Sequence, residues 1–551
     1  MRCPRFVPLY VFFALSTLHL LAQSPDGNIN GLVSDPSSAA VVGAEVVVVN
    51  DVTGVQSRTK TNTEGIYVLP SLPPGPYRLQ VSKAGFKTII KPDIVLNVQD
   101  ALSINFTLPI GAAYEILTVE GGAPLVNTES AAVSTVVDRQ FAENLPMNGR
   151  SFQSLIELTP GVVVVPSNSD DTGQFSVNGQ RGASNYWMLD GVSANIGIGA
   201  SNGGGNGMSG AAGSFSALGG TNSLVSVDAL QEFRIQTSTF APEFGRTPGA
   251  QISITTRSGT NQFHGTAFDY LRNDILDASN WFNGYVNNPP LSKAKERQND
   301  FGGTFSGPIL KNQTFFFFSY EGLRLRLPQT TLSSVPDLSD RQNASPVLQP
   351  YLNAFPIPNG TDNAASGIAT FNASYSDPAT LDAYSIRIDH RLNDKFSVFA
   401  RYNDSPSAIV QRGAGASLST LSQTRITTQT STVGATWMIL PVVADDVRFN
   451  YSLTNATSTS SLDGFGGAVP IAAAPFPLGY SLQNGFFETG IYSLTNGFLQ
   501  AGQGARNEQR QFNIVNSFSV QKGSHSLKFG VDFRRLSPLY RPAAYKQEAY
   551  F

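Results

Sequence analysis

The sequence predicts a mainly β chain: a small N-terminal β-sandwich, a mixed α/β domain, and an antiparallel transmembrane β-barrel in the second half. Three observations carry this. In 384–402, Tyr384, Ile386, Ile388, Phe396, Val398, Ala400 and Tyr402 form one set, with Ser385, Arg387, Asp389 and Arg401 alternating between them, the period-2 pattern of a sheet wet on one face and apolar on the other. The pattern recurs in 430–452 across a turn at 440–446, and in 511–535 across a turn at 521–525, where Phe512, Ile514, Phe518, Val520, Leu527, Phe529, Val531 and Phe533 share a face. The segments between hairpins, 403–427 and 453–510, read as long polar loops, and short turns on one side with long loops on the other are the organisation of an outer-membrane barrel. A water-soluble β-sandwich is the alternative for this half.

At the N-terminus, Arg2 and Arg5 precede an apolar run over 6–21, and Ala22 offers a small residue for cleavage. Residues 1–22 thus read as a secretory signal peptide, too short to span a bilayer that needs about 20 apolar residues. The single cysteine, Cys3, lies before the apolar run, so the mature chain is expected to have neither disulfides nor thiolate chemistry. Charged residues are 14% and aromatic residues 10%, with 51 glycines and 33 prolines, a composition suited to many strands and turns. A net charge of -3 without a basic stripe argues against a nucleic-acid partner. A mean hydropathy of -0.09 excludes a helical membrane protein but not a barrel, whose strands hide their apolarity in alternation.

The first region, 26–110, reads as a sandwich of about seven strands with Gly and Pro punctuation. It resembles the carboxypeptidase regulatory-like domain on three motifs: G-x-V-x-D-x-x-x-A-x-V-x-G-A-x-V from Gly31, T-x-x-x-G-x-Y from Thr61, and L-P-P-G-x-Y from Leu72. No protease activity follows, because His19, His264, His390 and His525 show no metal-ligand spacing. The chain is expected to be no enzyme and to need no cofactor or metal, since it shows no paired-carboxylate site, metal-ligand cluster or nucleophile motif.

The second region mixes short helices, expected over 138–144 and 151–158, with strands at 175–178 and 186–189. Its words are N-L-P-M-N-G-R-S-F from Asn144, L-x-P-G-V from Leu158, V-N-G-Q-R from Val177 and L-D-G-V from Leu189. Together they resemble the plug domain of TonB-dependent outer-membrane receptors, here 127–257, with Asn178, Gly179, Arg181, Asp190 and Gly191 as the motif residues. A linker at 111–126 contains Glu115, Ile116, Leu117, Thr118 and Val119, which stand where such receptors carry the TonB box, an extended segment that adds a strand to a sheet edge of TonB. An ordinary interdomain strand is the alternative. The G-x-G-x-x-G at Gly205–Gly210 lies in a Gly/Ser tract with no strand before it and no helix after it, and reads as a flexible loop rather than a nucleotide site.

The third region, 258–551, is the barrel. Its segments 258–268, 299–309 and 315–322 resemble the opening barrel strands of the Oar-like group of these receptors. His264 and Trp281 read as a polar lumen or turn residue and an interfacial aromatic. Counting turns gives roughly nine strands between Phe263 and Arg535, with at most a tenth in 543–551, whereas a barrel that encloses a plug needs about 22. The expectation is a partial barrel, the N-terminal half of a receptor. The resemblance implies an outer-membrane receptor with its N-terminal domain in the periplasm of a diderm bacterium. It would bind a large or scarce solute (a peptide, glycan or metal chelate) through its long loops and plug. Import would follow when TonB, driven by the inner-membrane proton gradient, pulls near Leu117–Val119. The partners implied are the TonB complex, outer-membrane lipid and that extracellular ligand. The alternative is an adhesion or surface-organising protein without transport. The role of the sandwich is open among periplasmic signalling, partner docking and spacing.

Overall fold

The computed structural model describes residues 26–112, 116–118, 132–139, 141, 153–164, 175–200, 210–220, 223–241, 243–279, 281, 292–363, 365–440, 442–472, 474–523 and 525–550. The expected signal peptide at 1–22, Asn144–Phe152, Glu115, Val119 and most of the Gly205–Gly210 tract lie outside these residues.

The N-terminal region is a two-sheet sandwich of β1 (Gly27–Ser34), β2 (Glu45–Asn50), β3 (Gln56–Lys60), β4 (Ile66–Leu72), β5 (Gly75–Ser82), β6 (Thr88–Leu96), β7 (Ala101–Ser103) and β8 (Phe106–Thr107). One sheet runs β4-β1-β7 with β8 also on β1; the other contains β3-β2-β5-β6 and ends on β9 (Ile116–Thr118). Burial alternates along β1, as a half-buried strand requires. Ile29, Val33, Val46, Val48, Leu69, Leu79 and Val81 fill the space between the sheets. Tyr67, almost fully buried, donates its hydroxyl to the Ile104 carbonyl at 2.7 Å, the satisfaction a buried phenol demands.

A second domain holds β10 (Val133–Asp138), α1 (Gln153–Ile156), β11 (Val162–Val164), β12 (Phe175–Val177), β13 (Tyr186–Leu189), β14 (Val192–Ser193), β15 (Leu230–Ser238) and β16 (Gln251–Thr256). Its sheet order is β10-β15-β16-β13-β14, with β11 and β12 forming a separate hairpin. Of the helix expected over 138–144, the described Arg139 and Phe141 are helical. Asp138 ends β10, and its carboxylate accepts from the Phe141 N–H at 2.8 Å. The centre of the sheet is buried on both faces, every residue of β16 being buried, whereas the edge strand β10 is largely exposed or half-buried, and Phe233, Ile235, Ile252 and Ile254 form the sheet's core with Trp187 and Phe175. We call this the inner domain.

The rest is a curved wall. Its strands are β17 (His264–Asn273), β18 (Arg297–Leu310), β19 (Thr314–Pro336), β20 (Asp362–Asn363), β21 (Ile368–Asn393), β22 (Phe396–Arg412), β23 (Thr420–Leu440), β24 (Val443–Leu462), β25 (Gly485–Gly490), β26 (Phe498–Lys522), β27 (His525–Leu539) and β28 (Tyr545–Tyr550). Nine of them, β17, β18, β19, β21, β22, β23, β24, β26 and β27, form an antiparallel meander. β28 does not extend the meander as a tenth antiparallel strand: it runs parallel to β25. On the outer face Tyr384, Ile386, Ile388, Tyr402, Phe449, Phe529 and Phe533 are exposed, while Ser385, Arg401 and Asn403 on the inner face are buried. Above Tyr384 the outer face turns polar. Arg324 pairs with Asp382 at 2.9 Å, and the Tyr320 and Tyr384 rings lie 4.9 Å apart, marking one edge of the apolar band.

The segment 403–427, expected as a long loop, is largely strand, whereas 453–510 is strand over about half its length, with 463–484 and 491–497 outside any strand. β22 and β23 stay in register from Phe396↔Trp437 to Arg412↔Leu421, leaving only 413–419 as loop, and β24 runs on to Leu462. The Ser, Thr and Asn content that suggested loops reflects a ladder that continues past the apolar band: its outer face is wet, and its inner face is buried against the inner domain largely through polar residues such as Asn403, Ser405 and Ser407, so apolar alternation is lost. The loops beyond it have their own core of Val335, Phe355, Phe371, Leu418 and Leu499. α2 (Leu338–Asn343) and α3 (Gln349–Asn353) are tied to it by Arg341, whose guanidinium donates to the carbonyls of Pro336, Phe355 and Pro356.

Candidate functional site

The inner domain is fastened to the wall through the Asp190-Gly191 turn between β13 and β14. Both residues have positive φ, 50° and 79°, the geometry of the two-residue hairpin turns that Asp-Gly favours. The turn carries Asp190, 2% exposed, into a cluster of wall arginines. Its carboxylate accepts from the Thr256 N–H at 2.9 Å, the Thr256 hydroxyl at 2.9 Å and Arg387 Nη1 at 3.1 Å, with Arg401 Nε at 3.8 Å. Arg448 donates to the Asp190 carbonyl at 3.2 Å and pairs with Asp446 and with Asp26 of the sandwich, each at 3.0 Å. Arg387 also pairs with Asp389 at 2.8 Å. Burial, opposed by Arg448 and reinforced by Asp446, pushes the Asp26 carboxyl up to about 7. Three domains therefore meet at one network of buried charge, beside a cavity of about 250 Å³ that Asp26, Pro73, Asp190, Arg387, Phe399 and Arg448 help to line.

Further contacts climb the wall. Asn513 accepts from the Ser193 N–H at 2.8 Å, Arg401 donates to the Leu224 carbonyl at 3.0 Å, and Ser407 accepts from the Ala217 N–H at 2.8 Å. Ile198, Ala200, Phe215 and Ala217 of the inner domain pack on Ala379, Ile409, Ile426 and Ala456 of the wall.

The other motif residues serve the inner domain itself. Asn178 and Gly179 sit at φ 51° and 77°. The Asn178 N–H donates to the Gly161 carbonyl at 2.9 Å and its side-chain amide to the Thr237 carbonyl at 3.1 Å, so the words L-x-P-G-V and V-N-G-Q-R meet in space. Arg181 is exposed, ahead of the short 3-10 turn Gly182–Ser184. Ile116, Leu117 and Thr118 form β9, paired in parallel with Thr88, Ile89 and Ile90 of β6. They lie apart from the arginine cluster in sequence and in sheet. His264 is exposed at the start of β17, and Trp281 is exposed too. Among the described residues no group of three or more His, Cys, Asp or Glu side chains is placed to hold a metal ion.

A second junction was not anticipated from sequence. The turn 97–100, just after β6, reaches the inner sheet. The Val98 N–H donates to the Glu232 carboxylate, Arg234 pairs with Asp100, Gln99 donates to the Ser253 hydroxyl at 2.8 Å, and Gln236 donates to the Gln99 side-chain carbonyl at 2.8 Å. Burial pushes Glu232 up to about 8. The only signal in the sequence was the polar period of Glu232, Arg234 and Gln236 on a strand otherwise bound for a core.

The outer membrane beta barrel domain family matches 255–344 and 339–550, and the carboxypeptidase regulatory-like domain family matches 28–109. The TonB-dependent transporter Oar of Myxococcus xanthus is 27% identical over 408 residues, 70% of this chain and 34% of that protein. Among solved structures, the outer-membrane transporter YddB of Escherichia coli is similar with a TM-score of 0.48 and 12% identity, covering 74% of this chain and 48% of that one. The siderophore receptor PirA of Acinetobacter baumannii gives 0.43 and 13%, over 74% and 48%. The chain spans about a third of the length of the curated relative and about half that of these structures. The chain belongs to the outer membrane β-barrel family, is located in the outer membrane, carries a carboxypeptidase regulatory-like domain ahead of its barrel, and is a relative of the Oar-like TonB-dependent receptors.

Proposed function

We propose that the chain serves TonB-dependent import of a large or scarce solute, with the inner domain as the plug and 115–119 as the segment that TonB engages. The observation that carries the reading is the Asp190 junction. An inner domain whose β13-β14 turn is latched to the wall by a compact set of buried ion pairs, beside a separate small apolar contact, has a closure that can be released at one point. Ion pairs and hydrogen bonds exchange for water more readily than a fused core separates. The strand-forming 116–118 offers the extended backbone that strand addition needs. The sandwich, in this reading, lies in the periplasm beneath the short turns: Asn261 donates to the Thr53 carbonyl at 2.6 Å and Arg391 to the Gln56 carbonyl at 2.5 Å. Import then needs no catalytic residue and no cofactor in this chain, its energy coming from the inner-membrane proton gradient.

The test uses Ser193→Cys, a buried position at the plug-wall contact, combined with serine at any native cysteine, Cys3 being the single one in this sequence. Maleimide labelling in energised cells should exceed that in uncoupler-treated cells, and Leu117→Pro should abolish the difference. Labelling that ignores both uncoupler and proline would overturn import and leave adhesion as the better reading.

A further inference from the structure

β9 is the outermost strand of its sheet among the described residues, in the order β3-β2-β5-β6-β9. One of its edges is paired with β6 and the other has no partner strand among the described residues, and an open edge is what strand addition uses. A partner strand that adds there extends the sandwich's own sheet, with β9 between the partner and β6. β9 pairs with the first residues of β6, Thr88–Ile90, and β6 runs from there to Leu96 with one bulge near Asp93, which has φ 56°. Directly beyond Leu96 comes the turn that grips the inner sheet.

That turn is built as a grip. Its ends are closed on each other: the Asp100 N–H donates to the Asn97 carbonyl at 3.1 Å, and the Asp100 carboxylate accepts from the Asn97 N–H at 3.0 Å. Val98 is fully buried, and Asp100 and Arg234 are both almost so. Gln99 is held at φ 59°, a left-handed backbone that a non-glycine residue keeps only where its surroundings impose it. Those surroundings are Gln236 and Ser253, on the adjacent strands β15 and β16. β16 in turn flanks β13, whose Asp190 N–H donates to the Ile254 carbonyl at 2.9 Å.

We propose that the sandwich is a force relay. An extended strand of an inner-membrane coupling protein adds to the open edge of β9, β6 carries the load along its length, and the 97–100 turn delivers it to β15 and β16. The sandwich is therefore part of the coupling surface and no mere spacer. This rests on the reading of 115–119 as the TonB-contact segment, and the experiment separates the two.

Amide exchange is followed in the intact receptor, alone and with the periplasmic domain of TonB as probe. Leu117→Pro, which removes an edge strand without touching the sandwich core, should speed exchange of the Val98 amide by roughly fivefold or more with no TonB present. Amides of Val46–Val48 should stay protected as the control for folding. The paired variant Ile90→Cys with Thr118→Cys, registered partners in β6 and β9, should slow Val98 exchange when oxidised. TonB domain added to the wild type should protect Thr88–Ile90 while Val98 exchange rises. Val98 exchange that stays the same in Leu117→Pro and in the oxidised pair overturns the relay, whatever TonB does. Capture of the TonB domain equally by wild type and Leu117→Pro overturns the reading of 115–119, and with it the assignment of the partner.

Discussion

Replacing Asp190 by alanine tests the buried cluster most directly. The substitution removes the acceptor of two Thr256 bonds and of Arg387 Nη1. Arg387 keeps Asp389 at 2.8 Å, but Arg401, whose side chain is 1% exposed, loses the one carboxylate that lies within 4 Å of it among the described residues. Leaving a buried charge uncompensated costs about 3–5 kcal/mol, and at about 1.4 kcal/mol per decade that is roughly a hundredfold to a few thousandfold in the equilibrium between seated and released inner domain. The assay is the maleimide labelling rate of Ser193→Cys in purified receptor, which follows the released population, with the heat-modified gel shift of the folded barrel as the control for assembly. Asp190→Asn, which keeps an acceptor for Thr256, should fall between wild type and alanine. Asp190→Ala combined with Arg401→Leu should recover much of the loss, because removing both partners of a buried pair leaves no orphan. Labelling of the alanine variant within about threefold of wild type, or a double variant no better than the single, would refute the argument.

Three other outcomes are expected. Glu232 titrates near 4.5 when free and about 8 when the sandwich is seated, so the seated form binds the extra proton. Seating is then strongest below pH 4.5 and the Glu232 contribution weakens as pH rises through the window up to about 8, beyond which it is flat; spin-label distances from sandwich to wall should broaden across that window, and Glu232→Gln should reduce the dependence to the part that Asp26, raised to about 7, contributes. Gly161 has φ 84°, and a Cβ there would meet Asn178 Oδ1 at 2.4 Å; Gly161→Ala should destabilise the inner domain by about 1–2 kcal/mol, read as faster proteolysis at unchanged barrel stability. Ile386→Arg, on the exposed apolar face, should cost about 2–4 kcal/mol of barrel stability in bilayers if it lies near the midplane, measured by urea titration, whereas a cost near zero would place 386 outside the hydrocarbon.

The wall was legible because alternation is a local property: Tyr384 and Ile386 face out and Ser385 faces in, as the period-2 rule requires. The sandwich was legible for the same reason, with its Gly and Pro punctuation. What the sequence hid was pairing across distance. Nothing near Asp190 announces Arg387, Arg401 or Arg448, which lie some two hundred residues on and come together only because adjacent wall strands align them. Likewise Gln99 and Glu232 are ordinary polar residues until two domains meet. Composition misled in one place, since Ser, Thr and Asn at 403–427 mark both loops and strands whose buried face is itself polar.

The length of the wall strands has a consequence for recognition. A crossing strand needs about 9–11 residues, yet β21 has 26 and its apolar outer band ends near Tyr384. Most of β21 therefore stands clear of the bilayer as rigid hydrogen-bonded scaffold, and the segments it supports close around Phe355, Phe371 and Leu499. Under the proposed import reading, a surface so preorganised gives up little entropy on meeting a solute, so affinity there would come from few contacts, and discrimination among solutes would fall to the fixed contour of the rim rather than to induced folding of loops.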